Sequence, residues 1–136
     1  MNIKDGYAVQ LAVKKGYTVI SISGGNSLPV NERLLKLGIT KVFMQVEDKE
    51  RLLVEYVKEN KFSWEEILFM GDDIPDYKCL QNAGLACCPA NAVKEIKNNS
   101  HYISHLKGGE GCVRDVIEKV LKLNNNWDLD TESPTV

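Results

Sequence analysis

Apolar positions along the chain alternate between helical spacing and short continuous runs, which predicts an alternating series of helices and strands. Residues 6–15 carry apolar side chains at helical intervals, and Gly16 then supplies a helix-ending signal. Residues 17–22 are rich in β-branched and aromatic side chains, as is typical of a buried strand. The same alternation predicts further helices over 29–37, 48–59, 75–82, 92–98 and 110–123, and further strands over 41–44, 67–70, 85–88 and 101–104.

This alternation predicts an α/β fold with a mainly parallel sheet covered by helices on both faces. In such sheets, functional groups collect at the carboxyl ends of the strands. The chain opens almost directly in a helix, whereas a parallel sheet normally starts with a strand, so we expect that a first element is missing. We expect one domain over residues 1–123 and a flexible polar tail over 124–136.

Composition and charge narrow the class of protein. The chain has 136 residues, of which 43% are apolar and 26% charged, as in a globular domain. Its formal charge of −2 disfavours nucleic-acid and anionic-membrane partners. The apolar runs fall short of the roughly 20 residues that a membrane span needs, and no signal peptide is recognisable. We therefore expect a cytoplasmic protein.

The cysteines and histidines favour no metal site. The four cysteines show no C-x-x-C spacing and are Cys79, Cys87, Cys88 and Cys112. We expect buried free thiols, because a tetrahedral zinc set is hard to assemble with only His101 and His105 in addition. The two histidines are expected at the surface or an interface, and no role is assigned to them.

A cluster of carboxylates follows the predicted strand 67–70. Asp72, Asp73 and Asp76 lie within the segment GDDIPD (residues 71–76). Carboxylate oxygens clustered in this way suit Mg²⁺. The same residues also fit an ordinary helix start, with Asp73 as N-cap and Asp76 favouring the helix dipole. The motif alone supports both interpretations equally.

Two more features are compatible with phosphate binding. Ser23, Gly24 and Gly25 follow a predicted strand and precede a helix, so the hydroxyl and the backbone N–H groups could hold a phosphate oxygen. An ordinary glycine turn is the alternative. Lys49 lies at the start of the predicted helix 48–59. Its ammonium group could approach the same phosphate from there. Its alternative is a solvated surface lysine.

The order of these features resembles motifs two, three and four of the haloacid dehalogenase (HAD) superfamily. Four segments further resemble the 3-deoxy-D-manno-octulosonate (KDO) 8-phosphate phosphatases: NIKDGY (2–7), SGG (23–25), GDDIPD (71–76) and GGEGCVRD (108–115). The resemblance covers residues 2 to about 122. It extends to phosphatases of nine-carbon keto acids and to phosphatase-like domains attached to acylneuraminate cytidylyltransferases. It implies a Rossmann-like sheet whose first strand and hairpin are missing here.

The resemblance also implies a function and a set of site residues. The function is that of a magnesium-dependent phosphatase of keto-sugar-acid phosphates. The implied roles are phosphoryl binding by Ser23, Gly24 and Gly25, charge stabilisation and catalysis by Lys49, metal binding by Asp72, and catalytic support by Asp73 and Asp76. Members of the family form tetramers in which a neighbouring subunit closes the site, and residues 108–111 are implied to lie near that interface.

Two further residues have alternative interpretations. Arg114 is a candidate for substrate or interface contact, but it also has the spacing to pair with Glu110 or Glu118 along a helix. Asp5 either faces the site or caps the first helix.

The family's first motif is an Asp-x-Asp whose first aspartate attacks phosphorus and whose second acts as acid and base. Before Ser23 the only acidic residue of this chain is Asp5. We therefore expect the chain to be inactive as written, and the resemblance places the missing strand between strands 17–22 and 67–70.

Our hypothesis is that Met1 is an artificial start. The alternatives are a non-catalytic sugar-phosphate-binding or assembly subunit and a detached cytidylyltransferase-associated domain.

Overall fold

The computed structural model describes residues 3–127 and groups the chain into two compact units. The first unit combines the residues up to Val46 with those from Val113 onward, and the second comprises residues 47–112. The elements, in chain order, are α1 (Ile3–Lys14), β1 (Ile20–Ile22), α2 (Leu28–Lys36), β2 (Lys41–Phe43), α3 (Lys49–Glu59), β3 (Leu68–Met70), α4 (Tyr77–Asn82), β4 (Leu85–Cys88), α5 (Lys94–Asn98), β5 (Tyr102–Ile103) and α6 (Cys112–Leu123).

All strand pairs in both units are parallel, which confirms the predicted α/β class with a mainly parallel arrangement. In the first unit, β1 pairs with β2, and Ile20 lies opposite Lys41. In the second unit, the strand order is β3-β4-β5. Among the described residues, no second strand pairs with the other edge of β1 or of β3.

The first unit is built around the helix α1. Its buried residues form one cluster with Leu34, Leu37 and Ile39, which come from α2 and the turn that follows it. They form a second cluster with Leu121 of α6. Side chains that are at most 4% exposed cover most of one face of α1, as the helical spacing of its apolar positions predicts: Ala8, Val9, Leu11 and Ala12.

The core of the second unit lies between α4, β4 and α5. Leu80, Ala86 and Ile96 are at most 1% exposed there. All four cysteines are buried thiols that form no disulfide within residues 3–127, as predicted. His101 extends the pairing beyond β5, because its N–H donates to the Ala86 carbonyl at 2.8 Å and its Nδ1 accepts from the Ala86 N–H at 2.8 Å.

Several boundaries differ from prediction. α1 begins at Ile3 rather than at Gly6. The predicted helix 75–82 is a 3-10 turn over Ile74–Asp76 followed by α4, because Asp76 turns its carboxylate back onto the preceding N–H groups. The capping box at Ser63 and Glu66 is present, but it starts a 3-10 helix.

Residues 124–127, which follow α6, make hydrogen bonds within the first unit. The side-chain amides of Asn124 and Asn126 both donate to the Tyr17 hydroxyl at 2.9 Å. The rest of the predicted tail, residues 128–136, lies outside the described residues. No helix within residues 3–127 has both the length and the apolar character that crossing a bilayer requires.

Candidate active site

A partly buried ion pair organises the segment 71–76 in the second unit. The Lys49 ammonium group donates to Oδ1 of Asp76 at 2.8 Å, and the two side chains are 18% and 6% exposed. The other carboxylate oxygen, Oδ2, accepts from the N–H groups of Asp72 at 3.0 Å and Asp73 at 3.3 Å. The Asp76 carboxylate therefore fixes both the lysine at the start of α3 and the backbone of the acidic segment.

Gly71 permits this arrangement. A Cβ atom at this position would lie 2.7 Å from Cγ of Asp76, which is closer than real Cβ atoms approach other heavy atoms. The residue before the first aspartate therefore has to be glycine for the carboxylate of Asp76 to fold back onto the backbone.

Asp73 acts as a cap. Its Oδ1 accepts from the N–H of Ile74 at 2.7 Å, and it forms a reciprocal capping box with Asp76. The helix-start interpretation of this part of the motif is therefore confirmed for Asp73.

Asp72 differs from its two neighbours because its carboxylate points to no partner among the described residues. The residue is exposed, and its described hydrogen bonds involve only its backbone: its N–H donates to Oδ2 of Asp76 at 3.0 Å, and its carbonyl accepts from the N–H of Val93 at 3.1 Å. Within residues 3–127, no group of three or more His, Cys, Asp or Glu side chains is arranged to hold a metal ion. A magnesium ion commonly takes one or two carboxylates together with water and phosphate oxygens, so Asp72 fits as one such ligand.

A cavity of about 390 Å³ opens beside the ion pair. It is lined by residues 47–50 and by residues of the 74–78 segment, including Tyr77 and Lys78. Lys49 is part of the wall. Lys49, whose ammonium group holds Asp76, therefore also borders a space that a ligand can enter.

Cys79 follows the acidic segment but is not a nucleophile. It is fully buried, and burial, with a further contribution from the Asp76 charge, raises the pKa of its thiol from 9.0 to about 11. The thiol is neutral near pH 7, and a neutral thiol attacks poorly.

The Ser23 loop, in the first unit, is held by backbone hydrogen bonds. The Ser23 N–H donates to the Phe43 carbonyl at 2.9 Å, and the Ser23 carbonyl accepts from Val46 at 3.0 Å. The Ser23 hydroxyl accepts from the Gly25 N–H at 3.0 Å. The N–H groups of Gly24 and Asn26 donate to nothing within residues 3–127, so this loop presents open donors, as an anion-binding loop requires.

Arg114 lies on α6 among aromatic rings. Its guanidinium carbon is 5.9 Å from the ring centroid of Tyr7 and 5.5 Å from that of Trp127. Its Nε is 3.6 Å from a carboxylate oxygen of Glu118, which is the i,i+4 pairing considered from the sequence. The described contacts of Arg114 are thus structural ones.

Asp5 has a role that was not considered from the sequence. It lies inside α1, is 1% exposed, and its carboxylate accepts from the Arg114 N–H at 2.8 Å. Arg114 is the third residue of α6, where the N–H has no partner within the helix. Asp5 therefore caps α6.

The sequence did not reveal the pairing of Lys49 with Asp76, which lie 27 positions apart. The only available signal was that a lysine and a carboxylate both follow strands. The structure brings Lys49, Asp72, Asp73 and Asp76 into one unit, whereas Ser23, Gly24, Gly25 and Arg114 belong to the other.

Comparison with known proteins identifies the family. Residues 35–116 match the family model of haloacid dehalogenase-like hydrolases, which is more than half of the chain. The chain is 28% identical over 120 residues to the KDO 8-phosphate phosphatase of Yersinia pestis, covering 88% of this chain and 64% of that protein. The chain thus spans slightly less than two thirds of the length of this relative.

Solved structures agree in fold. A KDO 8-phosphate phosphatase from Moraxella catarrhalis, in complex with magnesium, phosphate and KDO, is 32% identical with a TM-score of 0.90. A probable YrbI family phosphatase from Pseudomonas syringae is 32% identical with a TM-score of 0.89. Each match covers 93% of this chain and 72% of the other. The chain belongs to the haloacid dehalogenase-like hydrolases and is similar to their KDO 8-phosphate phosphatases.

Proposed function

We propose that this chain supplies most of the active site of a magnesium-dependent phosphatase acting on keto-sugar-acid phosphates, either KDO 8-phosphate or a nine-carbon analogue. The observation that carries the proposal is the Lys49–Asp76 ion pair beside the carboxylate of Asp72, which has no partner within residues 3–127. A lysine that is fixed by one carboxylate and borders an open cavity can donate to a phosphate oxygen without first being ordered.

In this proposal the Ser23 loop binds the phosphoryl group. The open N–H groups of Gly24 and Asn26 and the Ser23 hydroxyl donate to its oxygens. The charge-stabilising role that the family resemblance implies for Lys49 is part of the same proposal. Asp73 and Asp76 act by holding the acidic segment in shape. Arg114 stays a weaker candidate for substrate contact, because two aromatic rings and Glu118 already surround it.

Asp72 is the residue that would hold Mg²⁺. When bound, the ion neutralises phosphate charge and orients the phosphoryl group. The complex of the Moraxella relative with magnesium and phosphate supports this part of the proposal. The exposed, unpartnered carboxylate of Asp72 contributes one ligand from this chain.

In this proposal the nucleophile comes from a segment outside residues 1–136, and the only acidic residue before Ser23, Asp5, caps α6. The open edges of β1 and β3 support this inference. Strands of a parallel sheet are normally buried on both faces, yet β1 is only half-buried and Leu68 of β3 is 37% exposed. An added strand would cover such an edge.

The test compares two polypeptides: residues 1–136, and the same chain extended upstream by an apolar strand carrying Asp-x-Asp. The extended chain should release phosphate from KDO 8-phosphate with Mg²⁺, and the shorter chain should not. In the extended chain, Asp72→Asn should abolish the activity, whereas Glu59→Gln, which removes an exposed carboxylate of the same unit, should leave it unchanged. Full activity of the Asp72→Asn variant would refute the site assignment.

A second candidate is a non-catalytic sugar-phosphate-binding or assembly subunit. Ser23, Lys49 and Asp72 are all present in this chain and allow ligand binding without a nucleophile, which is compatible with it. It requires magnesium-dependent binding of KDO 8-phosphate by the chain without turnover, even when a complete relative is present. Calorimetric titration with and without Mg²⁺ separates this outcome from the first.

The assembly state belongs to the same proposal. We expect a cytoplasmic homotetramer in which residues 108–111 lie near the subunit interface, as the family resemblance implies. Light scattering of the extended chain at several concentrations measures the mass directly.

A further inference from the structure

The backbone of Asp72 is held on both sides by groups of the second unit. Its N–H donates to Oδ2 of Asp76 at 3.0 Å, and its carbonyl accepts from the N–H of Val93 at 3.1 Å. Val93 belongs to the connection between β4 and α5, residues 89–93, which we name the β4 loop. The position of Asp72 therefore depends on the β4 loop as well as on the Asp76 carboxylate.

The β4 loop is in turn held by the segment that follows β5. Oδ1 of Asn91 accepts from the Gly108 N–H at 2.8 Å, and the Ala90 N–H donates to the Leu106 carbonyl at 2.9 Å. These two hydrogen bonds join adjacent residues of the loop to residues 106–108, where the glycine-rich segment 108–111 begins. A continuous series of hydrogen bonds therefore connects the glycine-rich segment, through the β4 loop, to Asp72.

The bond between Asn91 and Gly108 is the link in this series that a side chain of the β4 loop supplies. Asn91 is exposed, whereas its neighbour Ala92 is 6% exposed and packs in the core with Leu80 and Ile96. A substitution of Asn91 therefore removes a hydrogen bond without opening a cavity in the core. The core packing of Ala92 is a competing way to hold the loop in place.

We propose that Asn91 is a positioning residue for Asp72 and acts through Val93. By fixing the β4 loop against Gly108, Asn91 keeps the Val93 N–H beside the Asp72 carbonyl, so that the Asp72 carboxylate is presented in one orientation. A carboxylate that is oriented in advance binds a cation more tightly than one that has to be ordered on binding. The consequence for Mg²⁺ rests on the proposed function, whereas the fixing of the loop does not.

The first test measures amide hydrogen exchange by NMR on residues 1–136. Asn91→Ala should raise the exchange rates of the Gly108 and Val93 amides about fivefold each, because one hydrogen bond that anchors the loop is lost. Asn91→Asp keeps an oxygen acceptor at the same place and should restore both rates.

Asn99→Ala is the matched control. Asn99 is also an exposed asparagine of the second unit, and its side chain likewise makes one hydrogen bond to backbone, to the Glu95 carbonyl at 2.8 Å. This variant should change neither amide. Faster exchange at Gly108 with an unchanged rate at Val93 would overturn the proposal, because the core packing of Ala92 would then be enough to hold the loop. An unchanged rate at Gly108 would overturn it as well.

The second test measures the Mg²⁺ dependence of phosphate release by the upstream-extended chain. Asn91→Ala should raise the Mg²⁺ concentration for half-maximal activity about fivefold and leave kcat at saturating Mg²⁺ within about twofold of wild type, because it affects metal binding rather than the chemical step. Asn91→Asp should reverse the increase. An unchanged Mg²⁺ requirement in Asn91→Ala would refute the positioning role.

The two tests separate this inference from the proposed function. If no variant of the extended chain, including the wild type, releases phosphate, the proposed function is wrong, and the consequence for Mg²⁺ falls with it. The exchange rates at Val93 and Gly108 still decide whether Asn91 fixes the loop.

Discussion

The loops after β1 and β3 both follow parallel strands, but they are held in different ways. In the loop after β3, a buried carboxylate, an ammonium group and two backbone N–H groups satisfy one another around Asp76. In the loop after β1, neutral backbone hydrogen bonds hold Ser23, and the N–H groups of Gly24 and Asn26 have no partner within residues 3–127.

This difference separates two kinds of preorganisation. The loop after β3 carries its own counter-charge, so its shape does not depend on a ligand. Asp72 is exposed there, and its carboxylate has no partner in the part of the chain that the structure describes. The loop after β1 keeps donors available for an anion, and it gains their hydrogen bonds only when the anion binds. Mutations in the loop after β3 should therefore lower the stability of the fold, whereas mutations in the loop after β1 should lower ligand affinity.

The largest effect on stability is expected for Asp76→Ala. It leaves the Lys49 ammonium group, which is only 18% exposed, without its partner and frees two N–H groups, so we expect a loss of about 4 kcal/mol in the free energy of unfolding. Urea denaturation measures it. Glu55→Ala is the control, because its pair with Arg51 on the same helix is exposed and should cost under about 0.5 kcal/mol. Equal losses would remove the contrast between a buried and an exposed pair.

Cys79 lies buried near Asp76, and its thiol should make the stability of the fold depend on pH. Because the pKa of its thiol rises from 9.0 to about 11 on folding, the unfolded chain loses this proton first as the pH increases. Stability should therefore fall between pH 9 and pH 11, by about 3 kcal/mol in full. The measurement is the difference in unfolding free energy between wild type and Cys79→Ala across that window. A difference that is constant with pH would refute the assignment.

Gly71→Ala tests the close approach of Asp76 to the backbone. The added methyl group meets the Asp76 side chain and should cost about 2 kcal/mol, measured by thermal unfolding. Gly24→Ala is the matched change in the other loop, since a Cβ there meets only the Val46 carbonyl at an ordinary 3.6 Å. A Gly24→Ala variant as destabilised as Gly71→Ala would show that the two loops are packed equally tightly.

The smallest effect on stability is expected for Ser23→Ala, about 0.5 kcal/mol, because it removes one neutral hydrogen bond from a half-exposed loop. Its affinity for inorganic phosphate should nevertheless fall about tenfold, as judged by calorimetric titration. Ser100→Ala also removes a single hydrogen bond to backbone and should leave phosphate affinity unchanged. Equal phosphate affinities of the two variants would exclude Ser23 from the phosphate site.

The order of helices and strands was predictable because each element has a local signal. Strand β4 is confirmed at both ends, since Gly84 and Pro89 border its apolar run. The boundary at α4 was missed because it depends on a side chain, Asp76, that bonds to backbone groups three and four residues earlier. Periodicity does not report such a contact.

The candidate site was predictable as a set of residue types but not as a set of contacts. Lys49 and Asp76 were both named, yet their direct pairing depends on how two loops approach each other in the folded unit. Asp5 shows the same limit, because the helix that it caps begins more than 100 positions later, at Cys112. Local spacing carries no information about partners that far away.

The cap that Asp5 places on α6 has a consequence for the order of events during synthesis. The second unit is continuous in sequence, so all of its residues have left the ribosome before α6 is complete. The first unit joins the two ends of the chain, and its early helix α1 has to wait for the last helix to bury the Asp5 carboxylate. Although domains usually fold from the N-terminus onward during translation, the unit that begins this chain is the last to be completed.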